Sequence, residues 1–381
     1  MDFSLSAEQR ELTEAATAFA RRELNQDLAK REEAGEFPRE AWRACADFGI
    51  LGLPVPAELG GAGSDVLTTA LVMEALGYGC QDNGLLFSLN AQMWSVELPL
   101  MNFGTPAQQR AYLPGLVSGD IIGGHAMTEP GSGSDALRMA TRAERRDDHY
   151  LLNGTKQYIT NAPVADVLLV YASVQGTPGL AGLSAFLVDA ATPGLEVSSS
   201  FEKMGLRTSP MGEIALIDCL VPAGNRLGPE GAAMAIFTSS MEWERSCLFA
   251  SAVGSMRRQL DACVEYARSR EQFGQPIGKF QGVAGKLADM YVRLEAARLL
   301  IYRVAWLKQQ GRSATAEAAA AKLFTSEAWV QSSQDAIQTH GAWGYLKDAG
   351  IERDLRDAVA GTIYSGTSEI QRLILARMLG L

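Results

Sequence analysis

The sequence predicts a mainly α fold with a central β domain. Residues 1–120 and 231–381 carry apolar side chains at helical spacing, whereas residues 121–230 break into short β-rich runs separated by Gly, Pro, Asn and Asp. A chain of 381 residues has room for two or three domains. The boundaries read as an N-terminal helical domain over 1–120, a β domain over 121–230 and a helical bundle over 231–381.

The elements follow in order. Ser6 is placed to cap a first helix, AEQRELTEAATAFARREL. Pro38 suits the first turn of a second helix, PREAWRACADFGI. Residues 52–63 form a Gly- and Pro-punctuated loop, and helical spacing resumes over 65–119. In the central zone RRDDHYLLNGTKQYITN reads as a hairpin or two, with Asn153-Gly154 at the turn. Strands bracketed by helices, with no βαβ alternation and no GxGxxG between strand and helix, argue against a Rossmann unit. In the last zone MEWERSCLFASAVGSMRRQLDACVEYARSR, GVAGKLADMYVRLEAARLLIYRVAWLKQQG and ATAEAAAAKLFTSEAWVQSSQDAIQTHG read as three long amphipathic helices. With the last helix, SGTSEIQRLILARML, they suffice for a four-helix bundle.

Composition excludes some classes. The 34 basic and 44 acidic side chains leave a net charge of −10. That argues against a nucleic-acid binder, which presents a basic face, and against an anionic membrane surface. No uncharged apolar run is long enough to span a bilayer. The start MDFSLSAEQRELTEAA lacks the basic opening and apolar stretch of a signal peptide, so a cytoplasmic location is expected. Five scattered cysteines (Cys45, Cys80, Cys219, Cys247, Cys263), no CxxC and three histidines argue against a metal site. Buried thiols are expected instead.

Four motifs carry chemistry. In AMTEPGSGSD, at 126–135, glycines let backbone N–H groups approach a ligand and Thr128, Ser132 and Ser134 offer hydroxyls. NGTKQYITNA, at 153–162, sets the Tyr158 ring and the Thr160 hydroxyl two residues apart, on one side of a strand. SREQFGQPIGKFQ, at 269–281, puts Arg270 just after a helix, where a cation can meet a phosphate, with Gln272 and Phe273 beside it. GTIYSGTSEIQRLILAR, at 361–377, holds Ser365, Gly366, Thr367 and Glu369.

In order and spacing these motifs closely resemble the flavin-dependent acyl-CoA dehydrogenases, over essentially the whole chain. The resemblance implies the acyl-CoA dehydrogenase fold: an N-terminal helical domain, a middle β-barrel-like domain and a C-terminal four-helix bundle. It implies FAD between the middle domain and the bundle. It also implies a homotetramer or dimer in which one subunit's bundle completes its neighbour's FAD site. Carried over to this chain, His125, Met127, Thr128, Gly133, Ser134, Tyr158 and Thr160 would contact FAD, with Tyr158 where most members have Trp. Arg270, Gln272, Phe273, Gln338 and Gly341 would reach the FAD of the adjacent subunit, and Thr367 and Glu369 join the cofactor set. The implied chemistry is removal of the α-proton of an acyl thioester by a carboxylate, with β-hydride transfer to flavin N5.

One substitution departs from the family pattern. Most members carry the catalytic glutamate between the tail-motif tyrosine and glycine. Here Ser365 stands between Tyr364 and Gly366, and an unassisted hydroxyl does not take an α-proton near neutral pH. Isovaleryl-type members and one long-chain branch place the glutamate on a C-terminal-domain helix, just before an arginine. Trp243-Glu244-Arg245-Ser246 is similar to that arrangement, so Glu244 is expected to be the base. The bland alternative is a helix-surface acid beside Glu242. Arg245 is expected on the CoA or carrier arm of the substrate, with Ser134, Ser365, Gly366 and Trp94 also against the substrate. The tail's main-chain N–H would polarise the thioester carbonyl. Glu244 would need a raised pKa, supplied by exclusion of water.

The relocated glutamate and short tail also resemble the prolyl-carrier-protein dehydrogenases, which oxidise a prolyl group on a phosphopantetheine arm toward pyrrolyl. A proline thioester on a small carrier protein is therefore the first substrate reading, and a short branched, isovaleryl-like acyl-CoA the second. Leu86, Leu89, Met93, Trp94 and Trp243 are pocket candidates, or else core. A flavin monooxygenase on the same fold is disfavoured by the retained carboxylate, and a flavin-free binding protein by the intact motifs. Electron-transfer flavoprotein and O₂ both stay open as electron acceptors.

Overall fold

The computed structural model describes residues 4–136, 138–177 and 179–381. The chain opens with α1 (Ala7–Glu23), α2 (Leu28–Ala34), α3 (Arg39–Asp47), α4 (Val66–Gly79), α5 (Asn83–Gln92), α6 (Leu98–Phe103) and α7 (Pro106–Val117). Ser6 caps α1 as its sequence indicates: Gln9 N–H donates to Ser6 Oγ and Ser6 N–H to Gln9 Oε1, both at 3.1 Å. Between α5 and α6 the helix widens into a π turn, Met93–Glu97. Such a turn re-aims the side chains around it.

The middle region is one sheet of β1 (Gly123–Ala126), β2 (Arg142–Arg146), β3 (His149–Thr160), β4 (Val167–Val174), β5 (Leu183–Asp189), β6 (Leu195–Val197), β7 (Met211–Pro222) and β8 (Arg226–Leu227). Its order is β6-β7-β3-β2-β4-β5-β8, with β1 parallel beside β4. Strand alternation divides β4 between two cores. Leu168, Val170 and Ala172 pack with Tyr150 and Phe186, whereas Val167, Leu169 and Tyr171 face the helices with Val96 and Ile236.

The hairpin turn lies elsewhere than the sequence reading put it. Arg146 pairs with His149, so Asp147-Asp148 makes the turn, Asp147 at φ +45°. Asn153-Gly154 sits inside β3, at a register irregularity against β7. Glycine is needed there for close packing: a Cβ on Gly154 would lie 2.4 Å from Thr141 Oγ1. A second irregularity, between Lys156 and Ile159, puts Tyr158 at φ +61°, so the simple alternation expected for Tyr158 and Thr160 is broken there.

The C-terminal region holds α8 (Ala233–Glu244), α9 (Ala250–Ser269), a small hairpin of β9 (Glu271–Gln272) and β10 (Gln275–Pro276), then α10 (Gln281–Gln309), α11 (Thr315–His340), α12 (Ala342–Tyr345), α13 (Ile351–Gly361) and α14 (Ser368–Met378). Two expectations change. The helix expected to run unbroken from 241 to 270 stops at Glu244, turns through Ser246 at φ −133°, ψ −76°, and restarts after a 3₁₀ turn over Cys247–Phe249. No Gly or Pro announces the break; burial of Cys247, Leu248 and Phe249 drives it, and Ser246 Oγ donates to Glu242 O at 2.6 Å. The place beside α11 assigned to the last helix is shared by α13 and α14. Helix α13 is masked in the sequence by acids on its inner face, Asp354 and Asp357, which Asn83 Nδ2 satisfies at 2.9 and 3.0 Å.

Helices α4 and α9 cross in backbone contact. A Cβ on Gly254 would lie 2.0 Å from Glu74 O, and one on Gly77 1.9 Å from Ser251 O. This crossing joins the N-terminal and C-terminal helices into one apolar core. All five cysteines are free and buried. Among the described residues no helix is long and apolar enough to cross a membrane.

Candidate active site

The end of α8 and the loop before α14 meet at Glu244. Its side chain is buried, 7% exposed, rather than on a helix surface. Ser365 Oγ donates to Glu244 Oε2 at 3.0 Å, and among the described residues Oε1 has no partner. Burial pushes the carboxyl up to about 7, opposed by the hydroxyls of Ser95 and Ser365 and by the Arg245 charge. Its neighbour Glu242 differs in kind. It is taken up by Lys308, Ser313, Thr315 and the Ala314 N–H, and these partners outweigh its burial and hold it below the usual range. Of the two acids, Glu244 is the one with a free oxygen.

The loop opposite is tightly held. Ser365 takes φ +54° and Gly366 φ +89°. Arg245 Nε and Gln371 Nε2 each donate to Ser365 O at 3.2 Å, and Gln371 Nε2 also donates to Gly366 O at 2.8 Å. Among the described residues the Ser365 main-chain N–H has no acceptor. Thr367 caps α14, Oγ1 accepting from Ile370 N–H at 3.4 Å, and Glu369 is exposed in its first turn. Trp243 is half-buried and stacks on Trp94, ring centroids 5.6 Å apart and planes 5° apart. Leu86, Leu89, Met93 and Trp94 lie within the main apolar core, and Trp94 meets the site through its stack on Trp243.

A second group forms around the AMTEPGSGSD loop. Glu129 and Ser132 exchange main-chain hydrogen bonds of 3.0 and 3.1 Å, closing a tight Pro130-Gly131 turn. Below it the Glu129 carboxylate accepts from Lys156 Nζ at 2.9 Å, from Thr141 Oγ1 at 2.6 Å and from Ala140 N–H. Lys156 is fully buried and also donates to Met127 O at 3.2 Å. This buried pair fixes the loop against β3, where Gln157 N–H donates to Thr128 O at 2.8 Å. Thr128 thus lies beside Gln157, the residue before Tyr158. Gly133 and Ser134 are exposed on the turn, Tyr158 is 57% exposed, Met127 is buried, and His125 is partly buried on β1.

Comparison with known proteins bears on all three regions. The family models for the N-terminal, middle and C-terminal domains of acyl-CoA dehydrogenase match residues 6–120, 124–219 and 231–380. The chain belongs to the acyl-CoA dehydrogenase family. The L-prolyl-(peptidyl-carrier protein) dehydrogenase of Pseudomonas fluorescens is 44% identical over 351 residues, 92% of each chain. The crystal structure of the prolyl acyl carrier protein oxidase AnaB superposes with a TM-score of 0.98 at 48% identity, covering 99% of this chain and 100% of AnaB. The structure of PigA with FAD and proline does so at 0.97 and 43%, covering both chains completely.

The third residue group of this acyl-CoA dehydrogenase lies apart. Arg270, Gln272, Gln338 and Gly341 line one open cavity of about 610 Å³, with Tyr266 and Trp343. Phe273 is not among them; it stands at φ +51° and 93% exposed on the tip between β9 and β10. Arg270 follows the last residue of α9, whose 20 residues rise about 30 Å from the Glu244 end. Sequence reasoning missed Ser95 on the π turn, the Lys156–Glu129 pair and Tyr171. Ser95 and Tyr171 had no signal in the sequence, whereas a lysine inside a strand three residues after Asn153 was at least conspicuous.

Proposed function

We propose that this chain is an FAD-dependent dehydrogenase of a prolyl group carried as a thioester on a carrier protein, with Glu244 as the base. The observation that carries the reading is the Glu244 carboxyl. It is buried, poised near neutrality, and hydrogen-bonded by the residue that stands where most family members keep their glutamate. The names of the most similar relatives supply the prolyl thioester, and the PigA complex supplies FAD.

The residues fit that cofactor. Gly131 and Gly133 leave open space where a Cβ would stand, so a ligand can approach the main chain. Thr128 and Ser134 add neutral donors, and the exposed Tyr158 ring can lie against a flat ring system. FAD, when bound, supplies the two-electron acceptor for hydride. The Arg270 cavity is too far along α9 to serve the same molecule, which supports a homo-oligomer in which Arg270, Gln272, Gln338 and Gly341 meet the partner subunit's cofactor.

The chain's own residues then act as follows. The ionised Glu244 takes the α-proton on Oε1, its free oxygen. Ser365 Oγ holds Oε2 and keeps the carboxylate aimed. The Ser365 N–H, without an internal acceptor, donates to the thioester oxygen as negative charge develops there. Arg245 anchors the loop that presents this donor and faces the incoming carrier arm. Electron-transfer flavoprotein or O₂ as final acceptor, and a cytoplasmic location, belong to the same proposal.

The test is anaerobic mixing of the yellow enzyme with prolyl-loaded carrier protein and, separately, with isovaleryl-CoA. Bleaching by the prolyl carrier alone is expected, and Glu244→Gln is expected to retain FAD while losing the bleach. Reduction of the variant at the parent rate removes Glu244 as base; bleaching by isovaleryl-CoA alone removes the substrate.

A further inference from the structure

His125, Tyr171 and Phe237 form one wall between the sheet and α8. Parallel pairing of β1 with β4 sets His125 opposite Leu169, on the face of β4 that also carries Tyr171. The His125 ring lies 5.1 Å from that of Tyr171 and 6.4 Å from that of Phe237, and the Tyr171 and Phe237 rings are 6.3 Å apart. Phe237 stands seven residues before Glu244 on α8, two turns away on the same helix face. The cluster therefore lies along the α8 face that carries the base. Burial raises the Tyr171 phenol, and the Glu244 charge raises it further, so the two groups share an electrostatic neighbourhood.

The polar atoms of this wall are unpaired. Tyr171 is 0% exposed and among the described residues its hydroxyl has no partner; His125 Nε2 and Glu244 Oε1 are buried without one among them as well. An unmet buried polar group is costly to the fold. A pocket built for an aliphatic acyl group would have no use for them.

We propose that His125 and Tyr171 are specificity-determining residues that receive the ring nitrogen of a cyclic α-amino acyl group. The inference rests on the prolyl-thioester reading and names the residues that recognise that substrate. A secondary amine next to the α-carbon carries one N–H and one lone pair. The N–H donates to the imidazole of His125, and the lone pair accepts from the Tyr171 hydroxyl. His125 is suited to accept because burial, reinforced by the charge of Lys156, lowers its pKa to about 4 and keeps it neutral.

The experiment compares two substrates on the carrier protein: prolyl, and cyclopentanecarbonyl, the same ring with CH₂ in place of N–H. Single-turnover flavin reduction is measured for the parent enzyme, Tyr171→Phe, His125→Leu and His125→Gln, each checked for flavin content. The parent is expected to prefer prolyl, and Tyr171→Phe and His125→Leu each to lower the prolyl-to-cyclopentanecarbonyl rate ratio about tenfold. His125→Gln, which keeps an acceptor, should retain more of that ratio than His125→Leu. A parent ratio near unity, or a ratio unchanged in whichever of Tyr171→Phe and His125→Leu binds flavin, overturns the inference. If the parent is reduced by isovaleryl-CoA and by neither carrier substrate, the substrate reading itself is wrong and this inference goes with it.

Discussion

Ser365→Ala isolates one interaction of the base. It deletes the hydroxyl that donates to Glu244 Oε2 at 3.0 Å and leaves the loop anchored, since Arg245 and Gln371 hold main-chain oxygens. Glu244 is pushed up to about 7 by burial, and Ser365 is one of the groups that opposes this. A hydrogen bond to an ionised group contributes about 1.5–3 kcal/mol net. The protonated carboxyl keeps part of that bond, so the differential is about 1.4 kcal/mol, or one pKa unit. The ionised fraction at pH 7 then falls from about one half to about one tenth, and the rate drops about fivefold. Two pH units higher both enzymes are almost fully ionised, and the gap closes to about 10%. The assay is anaerobic stopped-flow reduction of the flavin by prolyl-loaded carrier, recorded from about pH 6 to about pH 9. Two profiles displaced along the pH axis and meeting at the alkaline end are expected. A variant slowed by the same factor at every pH, or one that coincides with the parent, would refute the assigned role of the hydroxyl.

Three further outcomes follow from the same geometry. Lys156→Met leaves the buried Glu129 carboxylate without its cation, so the protein should lose about 3–5 kcal/mol of stability and release FAD first, read as flavin per chain and as thermal midpoint. Glu97→Gln should stabilise the protein at alkaline pH. Burial pushes Glu97 up to about 8, with Gln92 opposing, so its contribution is complete below an unfolded value near 4.5 and is lost as pH rises toward 8. The thermal midpoint of the variant should therefore exceed the parent's near pH 8 and converge with it near pH 5; equal midpoints throughout would contradict the sign. Because Ser365 Oγ touches Glu244 Oε2, the double change Glu244→Ser with Ser365→Glu returns a carboxylate to the same space from the other side. It should reduce flavin faster than Glu244→Gln, and equal rates would mean the two positions do not serve one substrate atom.

What could be read from the sequence was whatever is encoded in short stretches. The turn-rich loop at 126–135 and the Arg270 segment each occupy a few neighbouring residues, as do the two halves of the exchange of Glu244 for Ser365, and their side-chain chemistry is visible without a fold. The helix break after Glu244 was hidden because its cause is burial of Cys247, Leu248 and Phe249, which look like any helical apolar run. Asn153-Gly154 has the composition of a turn but answers a packing demand from Thr141, a contact twelve residues away from Asn153 in sequence. The π turn at Met93–Glu97 leaves no mark on an apolar helix, yet it brings Ser95 to the base. Nothing in VLLVYASV says which alternate side chains meet α8, so the sequence does not single out Tyr171.

The placement of Glu244 also explains why it can be a base while adjacent to an arginine. From sequence, Glu-Arg suggests an ion pair that would hold the carboxyl low and make it a poor proton acceptor. Neighbouring residues on a helix do not face each other, and Arg245, the C-cap of α8, still has helical φ −77°, ψ −6°. Arg245 turns to the Ser365 carbonyl, and Glu244 remains as the last helical residue, where the negative end of the helix dipole disfavours its ionised form. Burial then exceeds the help from two serine hydroxyls and one partly buried cation, and the carboxyl settles about where a general base is most useful. Moving the glutamate from the tail loop to this helix end thus places the carboxylate where burial outweighs its partners in setting its ionisation.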